Sequence, residues 1–516
     1  MKQTKTRCFL LLLLILGARS EAQEYNSVPL DHAAYGIIAM GIMQGIILSP
    51  PAPKPWPLYM VKEKLWEMLD DPMQILSSDE LEMVSRVLDS FERKTGFQPQ
   101  DGRYRTENSG STFEMGLVWE SNFSIKTPDA SFSNLNVLGL YSGGDILDFV
   151  SWNINPKAYA GWPDNPALGY GLEGELNGAF FGQRLLLRLG RVRRGWGHDS
   201  GETSLFINSH ARPFTALEGT FSPLSWLNIS FLGGALERFN ENNQWPHNEP
   251  FTNVLSAAQV EFNPSMYIHL NMGGAAVLLK QPNTAFFTGF ELRLPGLFIL
   301  WGSLFIDPLD SFSGNFFSMN SNSYAYQAGI KTVIHWLPLA AFTLSYTRIE
   351  PYCYTGGRNS PDSAFTNGGE SLGYYLPPNS DELLLRFEYI LFTAIKTYFQ
   401  FQTIRHGVDY GYGAVGGSSL YDTLADGHSA NYFFNFFIKN GVYQWDNILK
   451  VGGSCSLKAG GGSHGVPLSI YAEAGLVGTS FIFNDIENEM NHESRGDSIY
   501  QPSTYLIFSI GFRLFW

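Results

Sequence analysis

The end of the chain constrains the fold more than any other stretch. Leu506, Phe508, Ile510, Phe512, Leu514 and Trp516 alternate with Tyr505, Ile507, Ser509, Gly511, Arg513 and Phe515. Period two makes one side of an extended strand continuously apolar and leaves the small and charged groups on the other. A closing strand of a transmembrane barrel has this texture, because it pairs on both edges and turns one face to lipid. A buried strand of a soluble sandwich carries the same alternation, so the test is whether the pattern recurs.

It does recur. Leu185, Leu187 and Leu189 share a face opposite Arg184 and Arg188, and Phe286, Thr288, Phe290, Leu292 and Leu294 oppose Glu291 and Arg293. Phe342, Leu344 and Tyr346 oppose Thr343, Ser345 and Thr347, and Tyr398, Gln400 and Gln402 oppose Thr397, Phe399 and Phe401. A charged side chain facing mid-bilayer costs roughly 2–4 kcal/mol, so Arg184, Arg188, Glu291 and Arg293 are expected to face the lumen. Strands are also expected near 113–126, 144–154, 167–179, 223–237, 252–262, 265–280, 297–307, 322–336, 381–392, 428–440, 442–458 and 466–483. With about 17 segments, the expectation is an all-β transmembrane barrel of 16–18 antiparallel strands, 18 favoured. Trp226, Trp301, Trp336, Tyr443 and Trp445 are read as interface girdles. Asn263-Pro264, Pro295-Gly296 and Leu337-Pro338 read as tight turns. The polar stretches 239–251, 308–321, 351–380, 406–427 and 484–502 read as long outer loops.

Composition agrees. Aromatics reach 15%, which excludes disorder as the main state. Charged residues are 16%, below the roughly 25% of soluble domains. With 34 Lys+Arg against 48 Asp+Glu the net charge is −14, which argues against a nucleic-acid partner. A mean hydropathy of −0.09 is too polar for a helical membrane protein.

Residues 1–22 read as a cleavable signal peptide: Lys2, Lys5 and Arg7, then the apolar run Phe9 to Leu16, then small residues. Residues 23–100 read as a small helical bundle, placed in the periplasm because it precedes the barrel, and 101–516 as the barrel in the bacterial outer membrane. In the bundle, Asp31 reads as the N-cap of a helix carrying Tyr35, Ile38, Ile42 and Ile46. Pro50, Pro51, Pro53, Pro55 and Pro57 end it. Leu58 to Leu69 forms a second helix. Ser77 with Glu80 forms a capping box ahead of a third, Leu81, Val84, Leu88 and Phe91. A bundle this small is expected to lean on the barrel or cap its inner mouth.

No catalytic, metal or cofactor site is expected. His198, Asp199, Ser200 and Glu202 are too close in sequence to converge as a triad, and His198, His210 and Glu202 lack metal-ligand spacing. The Gly clusters at 413–417 and 460–462 lack the Lys-Ser/Thr of a phosphate loop. Arg191, Arg193 and Arg194 beside Trp196 read as strand-end residues at headgroup level, with contact to a plug or acidic glycan as the alternative. Cys353 and Cys455 are too few for a disulfide framework.

One ordered set of segments stands out. It opens with Val28-Pro29-Leu30-Asp31 through Gly45, and Lys54-Pro55-Trp56-Pro57. Gly190-Arg191 to Gly195-Trp196-Gly197 follows, then Ser204 through Ser209, Ala211, Pro213 and Phe214. Tyr346-Thr347-Arg348 to Pro351 and Tyr354, then Gly373 and Pro378 to Leu383, complete it. In this order the segments resemble the capsule assembly Wzi-like family of outer-membrane proteins. Ser345 stands where the family favours Glu, Tyr374 where it favours His, and His198 where it favours Pro. The resemblance implies a monomeric 18-stranded barrel among outer-membrane lipids, with a periplasmic bundle, that binds or organises surface polysaccharide without enzymatic activity. Like other such barrels it would rely on barrel-assembly machinery. Glycan contact uses aromatic rings with amides, carboxylates and Arg. The expected polysaccharide-binding residues are Tyr352, Tyr354, Arg358, Asn359, Tyr374 and Tyr375, with a second set at Asp409, Tyr410, Tyr412 and Tyr421. A porin or selective channel for small solutes remains the alternative.

Overall fold

The computed structural model describes residues 25–515 apart from 71–74, 92–95, 99–102, 109–110, 128–130, 147–149, 163–167, 199–202, 238–252, 279–281, 308–322, 335–336, 338, 356–362, 392–394, 409–416, 423–440, 460–465 and 484–499. The expected signal peptide, Trp516, Trp336, Arg358, Asn359, Asp409, Tyr410, Tyr412 and the 428–440 strand lie outside the described residues.

Alternation becomes architecture through one continuous antiparallel ladder. Eighteen strands close on themselves: β3 (Ser111–Lys126) through β15 (Ala340–Ile349), then β18 (Ser380–Leu391), β19 (Ile395–Gly407), β20 (Val442–Ala459), β21 (Val466–Phe483) and β22 (Ser503–Phe515); the short pair β16 (Thr366–Asn367) and β17 (Glu370–Ser371) stands apart in the connection between β15 and β18. Closure is the pairing of β22 with β3, from Ile507 opposite Lys126 to Phe515 opposite Val118. No edge is left between first and last strands, so every spanning backbone group finds a partner away from water. A hairpin of β1 (Gly96–Gln98) and β2 (Arg103–Asn108) extends β3 beyond the end of β22.

The outer face is the expected apolar belt. Leu506, Phe508 and Ile510 are exposed, as are Leu189, Phe290, Leu292, Leu344, Phe399 and Phe401. Arg188, Glu291 and Arg293 turn inward and are ion-paired there. Arg184 is a correction: it sits in the turn before β7 (Leu185–Val192). Two expected strands, 144–154 and 223–237, each run across the boundary between two strands, β4 (Ser131–Ile146) with β5 (Val150–Trp162) and β8 (Phe214–Leu224) with β9 (Leu227–Leu236). The turn expected at Asn263-Pro264 lies after Ser265, because β10 (Asn253–Ser265) shifts register between Phe262 and Ser265. Connections alternate: one end of the cylinder carries short turns, the other the long loops.

Three helices sit at the short-turn end: α1 (Ala33–Gln44), α2 (Leu58–Leu69) and α3 (Ser78–Ser90). Val61, Leu65 and Met68 of α2 and Val84 of α3 are fully buried at helical spacing. The Ser77–Glu80 capping box is present. The N-cap of α1 is His32, not Asp31: His32 Nδ1 accepts the Ala34 N–H at 3.2 Å, while Asp31 reaches Arg513 at 2.7 Å. Gly45 ends α1 at φ 75°. A Cβ there would lie 2.6 Å from Pro295, so glycine serves both the left-handed cap and close approach to a barrel turn. The Gly296 N–H donates to Met43 O at 2.9 Å, fixing the contact.

Candidate functional site

The lumen holds three inserted pieces. The first is the Pro-rich strip between α1 and α2. Prolines supply carbonyls without demanding N–H partners, and the strip exploits this: Arg188 Nη2 donates to Pro55 O at 2.6 Å. Its free N–H groups are met by the wall and a neighbouring loop. Ala52 N donates to Glu261 at 2.9 Å, and Lys54 and Gly195 exchange backbone bonds of 2.8 and 3.1 Å.

The second piece is the β7–β8 loop, which carries most of the family-like motif. Trp196 is fully buried. Its indole N–H donates to Glu218 at 2.9 Å. Arg194 Nε meets the same carboxylate at 3.2 Å, and its other nitrogens donate to the carbonyls of Phe214, Val192 and Gly190. Arg194 is therefore an internal latch and not a headgroup residue. Gly197 has φ 85°, and Ser204 Oγ would lie 2.8 Å from a Cβ there. Ser209 and Pro213 follow in the same loop, and Phe214, buried, opens β8 beneath the Arg194 guanidinium.

The third piece is the β15–β18 connection, residues 350–379. Phe206 of the second piece stacks on Phe287 of the wall at 4.2 Å, and Tyr354 Oη donates to Leu205 O at 2.6 Å. Phe305, Phe365 and Tyr374 join them in one apolar cluster. These inward aromatics explain another correction. Trp301 is not a girdle residue; it faces inward, 1% exposed, with its ring where a Cβ on Gly329 would be. Trp226 is exposed at a turn and Trp445 half-buried, in keeping with the girdle reading.

The expected polysaccharide-binding residues separate in this setting. Tyr352, Tyr354 and Tyr374 are 4%, 0% and 1% exposed; they pack the third piece. Burial pushes the Tyr354 and Tyr374 hydroxyls well above their usual range, and the Glu382 carboxylate adds to the effect at Tyr374. Tyr375 remains 47% exposed. Its hydroxyl bonds Glu382, and Gln402 Nε2 reaches the same carboxylate at 2.7 Å. Pro351 O accepts from Ser323 Oγ. Arg348 is paired to Glu350 at 3.0 Å and Asp381 at 3.1 Å. Burial lifts the Glu350 carboxyl to about 7 against the pull of Arg348.

Below Tyr375 the inner wall of β18–β21 carries a polar ladder that the sequence pattern left as an unassigned face. Arg386 bonds Glu388 at 3.1 Å and Gln400 at 3.4 Å, and stacks over Tyr398. Tyr398 donates to Glu473, which Lys450 pairs at 3.3 Å. Above it, at the long-loop end, three connections meet. Arg212 Nε bonds Glu370 at 2.7 Å, and Tyr421 Oη donates to Gly369 O at 2.8 Å. Tyr421 and the Glu370 side chain are more than one-third exposed. Of this set only Tyr421 was expected; Arg212 and Glu370 gave no signal, because they lie far apart in sequence. Cys353 and Cys455 are free thiols. Among the described residues no helix is long and apolar enough to cross a membrane.

An 18-stranded antiparallel barrel with a lipid-facing apolar belt, N-terminal helices and inserted loops defines a class: large β-barrels of the outer-membrane type. Within it the chain is similar to Wzi of Escherichia coli, described as an outer membrane protein involved in group 1 capsule assembly and as a carbohydrate-binding β-barrel. The TM-score is 0.56 at 13% identity, covering 95% of this chain and 99% of that one. The outer membrane protein opdK and OccK11 (OpdR), both of Pseudomonas aeruginosa, align at TM-scores of 0.45. Their identities are 10% and 12%, over 78% and 82% of this chain and 99% and 98% of theirs. No protein-family model matches, and no curated protein matches.

Proposed function

We propose that the chain sits in the bacterial outer membrane and holds surface polysaccharide at its long-loop end, as a monomer with the helical bundle on the periplasmic side. The observation that carries this is the set of exposed Glu370 and Tyr421 with half-buried Arg212, with Tyr375 and Glu382 at the top of the inner polar ladder. Aromatic faces, a guanidinium and the exposed Glu370 carboxylate near one surface suit sugar rings and hydroxyls. The inserted pieces support binding over free diffusion. The likeness to the carbohydrate-binding Wzi barrel agrees with this reading. Insertion among outer-membrane lipids would proceed through the barrel-assembly machinery. No catalytic role is assigned to any residue.

The test is retention of surface polysaccharide, extracted from the source bacterium, by the purified full chain. Tyr421→Ala with Arg212→Ala should lower retention at least about tenfold, the loss of about 1.4 kcal/mol. Unchanged retention by this double variant and by Tyr375→Ala would remove the site.

The half-buried ladder on β18–β21 favours a second reading, a selective channel along that wall. Conductance separates the two.

A further inference from the structure

We propose that His198, His269 and Glu291 together bind one divalent transition-metal ion of the zinc class, fastening the inserted β7–β8 loop to the barrel wall. His198 comes from that loop, His269 from β11 (Ile268–Val277) and Glu291 from β12 (Asn283–Leu294). His198 Nε2 lies 3.6 Å from Glu291 Oε1, and His269 Nδ1 lies 4.0 Å from Glu291 Oε2. One donor atom from each residue falls within 4.8 Å of the others. Zinc holds such donors at about 2.0–2.2 Å in a tetrahedron, which places them about 3.4 Å apart. Small side-chain rotations close the difference.

The donor chemistry is selective. Two imidazoles and one carboxylate suit zinc and its neighbours, whereas magnesium and calcium prefer all-oxygen sets. All three side chains are under one-tenth exposed, so an ion there meets little competition from water. Arg293 Nε holds Glu291 Oε2 at 2.6 Å. It orients the carboxylate and leaves Oε1 to face the ion, as outer-shell partners of metal ligands do. Its positive charge opposes a cation, and is itself offset by the Glu291 carboxylate it pairs. The seat of His198 is built by a glycine: a Cβ on Gly289 would lie 2.6 Å from His198 Cβ. The site would join residues of an inserted loop and two wall strands, so the ion would lock the second inserted piece in place.

The experiment uses the full, tag-free chain in detergent, stripped with a chelator and titrated with Co²⁺ as a spectroscopic probe and Zn²⁺ by calorimetry. One ion per chain is expected. His269→Gln and Glu291→Gln should each weaken binding beyond the about 10–100-fold typical of losing only an outer-shell partner. His210→Gln, on the same loop but outside the cluster, should bind as the parent does. Zn²⁺ should raise the unfolding temperature of the parent and leave that of His269→Gln unmoved. The proposal is overturned if the stripped parent binds no stoichiometric ion, or if His198→Gln, His269→Gln and Glu291→Gln all bind as the parent does. The parent titration stands even if a variant misfolds.

Discussion

Glu218 is the point at which the second inserted piece is most firmly held. Its buried carboxylate accepts from Trp196 Nε1 at 2.9 Å, Arg194 Nε at 3.2 Å and Arg188 Nη1 at 3.1 Å. Glu218→Leu removes all three bonds and leaves guanidinium charge in a low-dielectric setting. Breaking a buried pair from one side costs about 3–5 kcal/mol. Arg188 keeps Glu175 and Pro55 O, and Arg194 keeps four carbonyls, so the lower end, about 3 kcal/mol, applies. At about 1.4 kcal/mol per tenfold, the loop should open about 100-fold more often. Tryptic cleavage after Arg194 reads this directly, because proteolysis tracks the open population when opening and closing are fast. Folded barrels of parent and variant should be cut at rates differing about 100-fold. Rates within threefold of each other would refute the latch.

Other outcomes follow from single residues. Gly197→Ala forces a Cβ onto a positive-φ backbone 2.8 Å from Ser204 Oγ; it should destabilise by about 1–3 kcal/mol, measured by denaturant unfolding in detergent. Ser77→Ala removes a capping box and should cost about 1 kcal/mol, concentrated in hydrogen exchange of α3. His32 is pushed down to about 4 by burial, consistent with Nδ1 accepting the Ala34 N–H. The unfolded ring binds its proton near 6.5, so stability is present above that pH and falls as pH drops towards 4, by up to about 3 kcal/mol. His32→Asn should keep the cap and flatten that profile; an unchanged acid slope would contradict the assignment.

Strands facing lipid were legible because the bilayer imposes one rule on every outward residue. Leu506, Phe508 and Ile510 announce their face in the chain itself, and Ser77 with Glu80 announces a helix start by local hydrogen bonding. Inward faces obey no such rule. Phe305 points inward where the distant loop residues Tyr354 and Phe365 pack on it, and Trp301 where Gly329 of the next strand leaves room for its ring; nothing near them in sequence says so. The β4 segment was missed because Asn134, Asn136 and Ser142 interrupt its apolar alternation, and β8 because Pro223 looks like a breaker. Arg194 resembled a surface cation until Glu218, on the next strand, came into reach. Tyr354 and Tyr374 resembled glycan contacts because a Tyr-rich loop reads alike whether it lies on the surface or folds into a core.

The central claim is a barrel whose inserted pieces favour holding a ligand over passing solutes. Planar-bilayer recording of the purified full chain tests it most directly. The structure predicts no steady current above that of the bare membrane. Long-lived, ohmic single-channel steps from the unmodified chain would contradict it and turn the β18–β21 ladder into a conduction path.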